Sequence, residues 1–318
     1  MRILMFGRGV ISTIYGKAFI AAGHEVAFAV RSTRIPQYGS SLTIDLLDGR
    51  GSVYGKRTRT AFTPALRDSS DPGGQFDVIV LSVGHHRLRE AAATVAAYAG
   101  EATVLIFGNI WEDPPTAVLP LPADQVVFGF PGAGGGFHSE GALHGALFRS
   151  VTIGTAGDAS DWRKGLVHGM FKQAGFAVKE EGDIRGWLWL HFAMDVGMFS
   201  QALKAGGLAK MIGDGRGLRE AFRTSREMLP VLEARGIDLS RHRTASMPAR
   251  LPRSAGTLSG WATRLFPIAQ ASLAAHANPN GAEPRAVMSD ALASARLLGI
   301  PTPRLEQAWR YWQETESA

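Results

Sequence analysis

The feature that most constrains this chain is its opening. Arg2-Ile3-Leu4-Met5-Phe6 is a short apolar run, and Gly7-Arg8-Gly9 follows it without a gap. Val10 to Ala22 reads as a helix closed by Gly23, at the place past a helix end where a left-handed residue is favoured. Val26 to Val30 is a second strand. Strand, glycine turn, helix and strand in that order form the unit that binds dinucleotides. The glycines let the backbone turn sharply and approach a pyrophosphate, which rests on amides that the first helical turn leaves unpaired. Gly7, Arg8, Gly9, Val10, Ile11 and Ser12 are therefore the expected cofactor contacts. Ser12 stands where the usual pattern has its third glycine, so it either loosens helix–strand contact or adds a hydroxyl near phosphate.

The end of the second strand selects the cofactor. An acidic residue there would hold the ribose hydroxyls of NAD, whereas Arg31, with Arg34 close behind, suits a 2′-phosphate. The expected cofactor is NADPH, and the bland alternative is a solvated basic turn.

Composition narrows the class. With 318 residues, 45% of them hydrophobic and 19% charged, the chain fits a globular enzyme of one or two domains. It has no cysteine, which excludes disulfides, thiolate metal sites and cysteine nucleophiles. No apolar run is long enough to span a bilayer, and the nucleotide loop starts too early for a cleaved leader. A cytoplasmic location with no membrane partner is expected. The net charge is +6, but the basic residues are scattered. The densest cluster, Lys56-Arg57-Thr58-Arg59, lacks interleaved aromatics and reads as a solvated strand edge or turn. An anionic cofactor and substrate explain the positive balance without nucleic acid.

Leu42 to Leu47 and Ser52 to Ala61 read as strand-rich connections, and residues 69–74 as a surface loop. Phe76 to Val83 is a continuous apolar run of strand length, the mark of a parallel strand covered on both faces. Gly84-His85-His86 stands at its end, followed by a helix over Leu88 to Ala97. Thr103 to Phe107 is another strand and ends in Gly108-Asn109. Ligands of open α/β sheets sit at the carboxyl ends of strands, so Gly84 to His86 and Asn109 are expected to face the cofactor. The two histidines read equally well as solvent-facing turn residues. After a strand at Val126 to Phe130, the run Pro131 to Gly136 reads as a close-approach loop, a mobile lid or a hairpin connection. No His cluster has metal-ligand spacing, and no Gly-x-Ser-x-Gly elbow marks a hydrolase.

Beyond about Gly182 the pattern changes to helices only: Trp187 to Lys204, Leu218 to Arg235, Trp261 to Ala275 and Pro284 to Leu298. The expected fold class is α/β, with an N-terminal Rossmann dinucleotide-binding domain (1–182) and a C-terminal all-helical domain (183–318). This layout resembles the 6-phosphogluconate and β-hydroxyacid dehydrogenase group.

Within that group, Gly7 to Gly16, then Ala21-Ala22-Gly23-His24-Glu25-Val26 and Arg31, resemble the opening of the ketopantoate reductases. Asp77-Val78-Ile79-Val80 and Asn109 fall where that family has its middle strand and an active-site asparagine. Glu283 to Leu298 with Gly299-Ile300-Pro301-Thr302-Pro303 is similar to the family's last helix and its ending. The resemblance implies that Gly7, Gly9, Ser12 and Arg31 hold NADPH, that Asn109 lies near nicotinamide and substrate, and that Ser272 and Glu283 bind substrate. It also implies a homodimer through the helical domain as one option. Glu283 has a plain alternative, since a carboxylate is favoured at a helix start. Four positions depart from the family: His191 takes the place of its general-acid lysine, Asp195 of one asparagine and Phe199 of another, and Gly84 is the fourth. Gly84 replaces the lysine that usually follows the middle strand.

The chemistry tolerates those changes. Hydride addition to a carbonyl needs a proton donor near the developing alkoxide. His191 and Asp195, four apart, share a helix face, and a carboxylate beside an imidazole favours its protonated form. His191 is thus the candidate acid, oriented by Asp195; the alternative is that both merely pack. Trp187, Trp189, Phe192, Met194, Met198 and Phe199 are expected to make the cleft bulky and apolar. The function expected is an NADPH-dependent reductase of a small anionic carbonyl compound. An imine or opine-type reductase using the same site, and a non-catalytic NADPH-binding regulatory protein, are the alternatives.

Overall fold

The computed structural model describes residues 1–39, 41–138, 141–157, 159–274 and 281–316. Two compact units emerge, one of residues 1–108 with 112–184, the other of residues 109–111 with 185–318.

The first unit begins β1 (Arg2–Phe6), α1 (Val10–Ala21), β2 (Glu25–Val30), β3 (Leu42–Asp48), β4 (Lys56–Phe62), β5 (Ala65–Asp68) and β6 (Val78–Leu81). It continues α2 (Leu88–Ala96), β7 (Thr103–Phe107), the single turn α3 (Pro114–Ala117), β8 (Val126–Phe130), β9 (Ala133–Phe137) and β10 (Leu143–Leu147). β11 (Ser150–Gly154), α4 (Asp161–Gln173) and β12 (Ala177–Glu180) complete it. Eight strands form one sheet in the order β12-β11-β8-β7-β6-β1-β2-β5. Its pairs are parallel except β8 with β11. At its centre Met5 pairs with Phe28 on one side and Val80 on the other. Every residue of β6 and β7 is buried, as continuous apolar runs require when both faces are covered.

A second sheet, of order β4-β3-β10-β9, covers the outer side of α1. Ile44, Leu143 and Leu147 from it share one core with Ile14, Tyr15 and Phe19 of α1. A helix covered on several sides has no polar stripe to show, which is why α1 is apolar nearly all round. The glycines after Pro131 do not form a lid or an irregular connection. Ala133–Phe137 is strand β9, antiparallel to β10. The reason is steric: a Cβ on Gly135 would lie 2.3 Å from the His144 carbonyl oxygen, and one on Gly132 2.0 Å from that of Ser150. The Gly132 amide donates to the Tyr15 hydroxyl at 2.8 Å, and burial pushes that phenol's pKa far above its ordinary value. The basic cluster at residues 56–59 lies on β4, the edge of this sheet.

The second unit is helical: α5 (Ile184–Ala205), α6 (Gly215–Glu227), α7 (Leu229–Ala234), α8 (Arg243–Arg250), α9 (Pro252–Leu265), α10 (Pro267–Ala274), α11 (Ala282–Leu297) and α12 (Pro303–Glu316). Two expected helices are broken, with Pro230 just after the junction of α6 and α7 and Pro267 between α9 and α10. Proline lacks the donor that would continue the ladder. Asp214 caps α6 by accepting from the amides of Arg216 and Gly217. Glu227 does the same for α12 through the Arg304 and Leu305 amides, and its burial raises the pKa of its carboxyl. No described helix is long and apolar enough to cross a membrane.

Gly135→Ala should lower stability by about 1–3 kcal/mol, since backbone and not a flexible side chain meets the new Cβ. Gly165→Ala, on an exposed part of α4 with nothing within 4 Å of its Cβ position, should raise it by roughly 0.5–1 kcal/mol. Paired denaturant titrations read both signs.

Candidate active site

Each unit carries its own set of candidate site residues. In the first, the carboxyl ends of β1, β2, β5 and β6 open onto a cavity of about 550 Å³. Gly7 takes φ +86°, a left-handed backbone open to glycine, and donates to the Ala29 carbonyl at 2.7 Å. A Cβ on Gly9 would meet nothing within 4 Å, so the space beside the helix start is open to a ligand. Val10 and Ile11 form the first turn of α1, with their side chains packed on the core and their amides among those without a helical partner.

Ser12 is buried, and its hydroxyl donates to the Phe6 carbonyl at 3.4 Å, so it points into the protein. The contact that the third glycine of the usual pattern makes is supplied by Gly16 instead. A Cβ there would lie 2.5 Å from the Phe28 ring. Ser12 therefore does not loosen the helix against the strand.

Arg31 and Arg34 line the cavity, as do Tyr38, Ser69, Ser70, Gly84 and Arg87. Arg8 lies over the Tyr38 ring at 4.2 Å and donates to the Tyr38 carbonyl at 3.1 Å. Partial burial lowers its pKa from an ordinary guanidinium value. Tyr38, Ser69 and Ser70 escaped the sequence reading. Ser69 and Ser70 follow β5, a four-residue strand of alternating exposure too short to stand out, so the loop after it was not recognised as a strand end. His85 and His86 lie in a short turn with their rings 5.7 Å apart, and neither is among the described residues lining the cavity.

The helical unit holds the other group. Asn109 is nine-tenths buried, and its amide nitrogen donates to Asp195 Oδ2 at 2.7 Å. His191 Nε2 lies 3.7 Å from Asp195 Oδ1, an ion-pair separation longer than a hydrogen bond. Trp187 stacks on the His191 ring, 5.3 Å away and tilted by 15°. Asn109 thus belongs with the His191–Asp195 pair, although it follows strand β7 by two residues.

Trp111 fixes that placement, and the sequence reading missed it. Its indole is buried, stacks on Phe192 at 4.7 Å and donates to Ser294 Oγ of α11 at 2.8 Å. The Arg235 guanidinium stands 4.1 Å from the Trp111 ring and 3.5 Å from that of Trp189, and donates to the Trp111 carbonyl at 2.5 Å. Tryptophan two residues after a strand-end asparagine was the available signal.

The apolar character expected around the histidine needs correction. Trp189, Phe192 and Phe199 are buried in the helical core, because they lie on the inner side of α5. Only Trp187, Met194 and Met198 are half-buried beside His191 and Asp195. Glu283 lies in the first turn of α11, and Ser272 is exposed on α10, which packs on α9 and on the turn at residues 208–211. Among the described residues neither makes a hydrogen bond to His191 or Asp195. The described residues contain no group of three or more His, Asp or Glu that could hold a metal.

Residues 3–158 match the model of the family described as ketopantoate reductase PanE/ApbA. No curated protein matches the chain in sequence. Among solved structures it is similar to D-mandelate dehydrogenase in ternary complex with NADH and anilino(oxo)acetate, at 15% identity and TM-score 0.73, covering 100% of this chain and 99% of that one. It is similar to 2-dehydropantoate 2-reductase from Geobacter metallireducens GS-15 (15% identity, TM-score 0.69, 99% and 100% covered). The enzyme of that name from Methylococcus capsulatus matches at 16% identity and TM-score 0.65, with 99% and 97% covered. At these identities the structural likeness speaks for the fold.

Arg235→Ala removes a guanidinium held between two indoles and hydrogen-bonded to a carbonyl. It should cost about 2–4 kcal/mol of stability, and Arg235→Lys most of that, because an ammonium has no planar face to stack. Thermal unfolding of both variants measures it.

Proposed function

From the premise that the chain belongs, through residues 3–158, to the ketopantoate reductase family, we propose that it is an NADPH-dependent reductase of a small anionic carbonyl compound. The observation that carries this reading is the linked set Asn109–Asp195–His191 on a half-buried face. The cofactor fits the residues present: a left-handed glycine, open space over Gly9, helix amides, and Arg31 with Arg34 for the 2′-phosphate. When bound, NADPH supplies the hydride that reduces the carbonyl carbon. His191 donates the proton that the developing alkoxide needs. Asp195 faces the imidazole at ion-pair distance with the oxygen that does not accept from Asn109, so the carboxylate is fixed on one side before it orients the ring. Trp187, stacked on the ring, limits its rotation. Glu283 and Ser272 remain the proposed substrate anchors on the family resemblance alone.

A second substrate class has a specific observation behind it. Trp187 stacks on the His191 ring, and the half-buried Met194 and Met198 follow on the same helix, apolar neighbours suited to an aryl 2-oxo acid. The structurally similar D-mandelate dehydrogenase is named for an aryl substrate. A cyclic imine or an amine-condensed 2-oxo acid would use the same donor.

NADPH oxidation with ketopantoate, phenylglyoxylate and a cyclic imine separates these readings. Turnover with at least one is expected, and His191→Ala should lower kcat by roughly 10²–10⁴-fold with NADPH binding intact. Tight NADPH binding with no turnover on the whole panel would instead support the non-catalytic regulatory reading. Arg31→Ala should weaken NADPH about 10–100-fold while sparing NADH, the loss of one charge-assisted phosphate contact. Equal effects on both cofactors would count against NADPH selectivity.

A further inference from the structure

Arg8 and Tyr38 line two cavities. One is the cofactor cavity at the strand ends, and the other, of about 620 Å³, plays no part in the proposed reaction. The second sheet walls it: Thr43 at the start of β3, Arg59 on β4, Phe137 at the end of β9 and Ala142 just before β10. All of these residues belong to the first unit.

The charge of this cavity is one-sided. Its described lining residues include two guanidiniums, those of Arg8 and Arg59, and no carboxylate. Asp45 is the cross-strand neighbour of Arg59, but its carboxylate lies 3.8 Å from the Arg57 guanidinium and 4.0 Å from His144. Among the described residues Arg59 therefore has no ion-pair partner. Arg8 also holds a donor in reserve. One of its terminal nitrogens donates to the Tyr38 carbonyl, while its Nε is buried and has no partner among the described residues. A buried donor left unmade costs roughly 1–3 kcal/mol until an acceptor arrives.

Neutral donors complete the lining. Ser41 and Thr43 bring hydroxyls, and Gln37, whose carbonyl oxygen accepts from Arg34 at 2.9 Å, keeps its amide nitrogen for donation. Phe137, 43% exposed, sets an apolar surface beside them. Two cations and three neutral donors match a group with three acceptor oxygens and about −1.5 to −2 charge better than a carboxylate, which has two oxygens and one charge. The volume exceeds what a bare phosphate ion needs, and the phenylalanine suits an apolar body.

We propose that this cavity binds a phosphate monoester with an aromatic or branched apolar body, and that its occupant weakens the cofactor by drawing on Arg8. One guanidinium cannot serve two anions fully, and like charges in cavities that share a wall repel. The coupling is reciprocal, so NADPH expels the ester by the factor with which the ester weakens NADPH. A falling NADPH level then favours the ester and holds the reductase back. The coupling rests on the NADPH reading above; the binding of the ester does not.

Phenyl phosphate is the probe, titrated calorimetrically into the full chain without cofactor. One site is expected, weakened about 10–100-fold by Arg59→Ala through loss of a charge-assisted contact. Lys56→Ala, which removes a charge from the other end of β4, should leave it unchanged. With rising phenyl phosphate the Kd for NADPH should climb about 5–100-fold and then level off, since a separate site saturates. Arg59→Ala should flatten that climb while binding NADPH normally when no phosphate is present. Absence of calorimetric binding, or binding indifferent to Arg59→Ala, overturns the site. A Kd for NADPH that rises without levelling makes phenyl phosphate a plain competitor in the cofactor cavity and overturns the proposal as well. A Kd that saturating phenyl phosphate does not move overturns the coupling. A chain that binds no NADPH defeats the reductase reading instead, and the calorimetry on Arg59→Ala still decides the site.

Discussion

The tripeptide Asn109–Trp111 is the point on which the helical unit's chemistry depends. It interrupts a stretch that otherwise belongs entirely to the first unit, and it is folded into the helical one. Side-chain contacts of Trp111 hold the three residues there. Trp111 does it with a stacked ring on α5, a hydrogen bond to α11 and the Arg235 guanidinium over its other contacts. Together these directional contacts fix the orientation that the indole takes in the structure. That orientation sets where Asn109, two residues earlier, presents its amide. The hydrogen bond to Asp195 then satisfies a buried amide that this packing brings within reach.

The first unit depends on a different constraint, the absence of side chains where backbone meets backbone. Between α1 and the sheet, the room is made at Gly16, so the helix sits close enough for its amides to crown the strand ends while Ser12 is released to bond Phe6. The same device joins β9 to β10. Local glycine content is usually taken as a sign of looseness, yet here it marks the tightest approaches in the unit.

What could be read from the residues follows from this. The β1–α1–β2 unit and strands β6 and β7 were legible because their burial is two-sided and leaves an unbroken apolar run. The second sheet was not, since β4 is mostly exposed and β9 is four-fifths small residues, so neither carries an alternating pattern. Helix α8 is short and mostly polar and was missed for that reason; α12 was missed although Leu305, Ala308 and Trp312 turn a stripe at helical spacing into the core, and α9 was misread because its large apolar residues face outward. The catalytic candidates were legible as an i, i+4 pair. Their link to Asn109 was not, because it spans 86 residues and is imposed by Trp111.

On the proposed reading, the departures at residues 191 and 195 belong together. A lysine donor carries its proton on a flexible stem and needs no fixed partner, whereas an imidazole is useful only in one ring orientation and one protonation state. An asparagine one turn along could offer a carbonyl to either form of the ring without preferring the charged one. A carboxylate favours the charged form by its charge, and it orients the ring as well if it is itself held still. Asp195 meets that condition because its second oxygen already accepts from Asn109. Replacing the lysine alone would leave a histidine with no carboxylate to favour its charged form, and replacing the asparagine alone would set a carboxylate beside the lysine, holding its proton more tightly and making it a weaker acid. The pair is therefore a single change in how the proton is held.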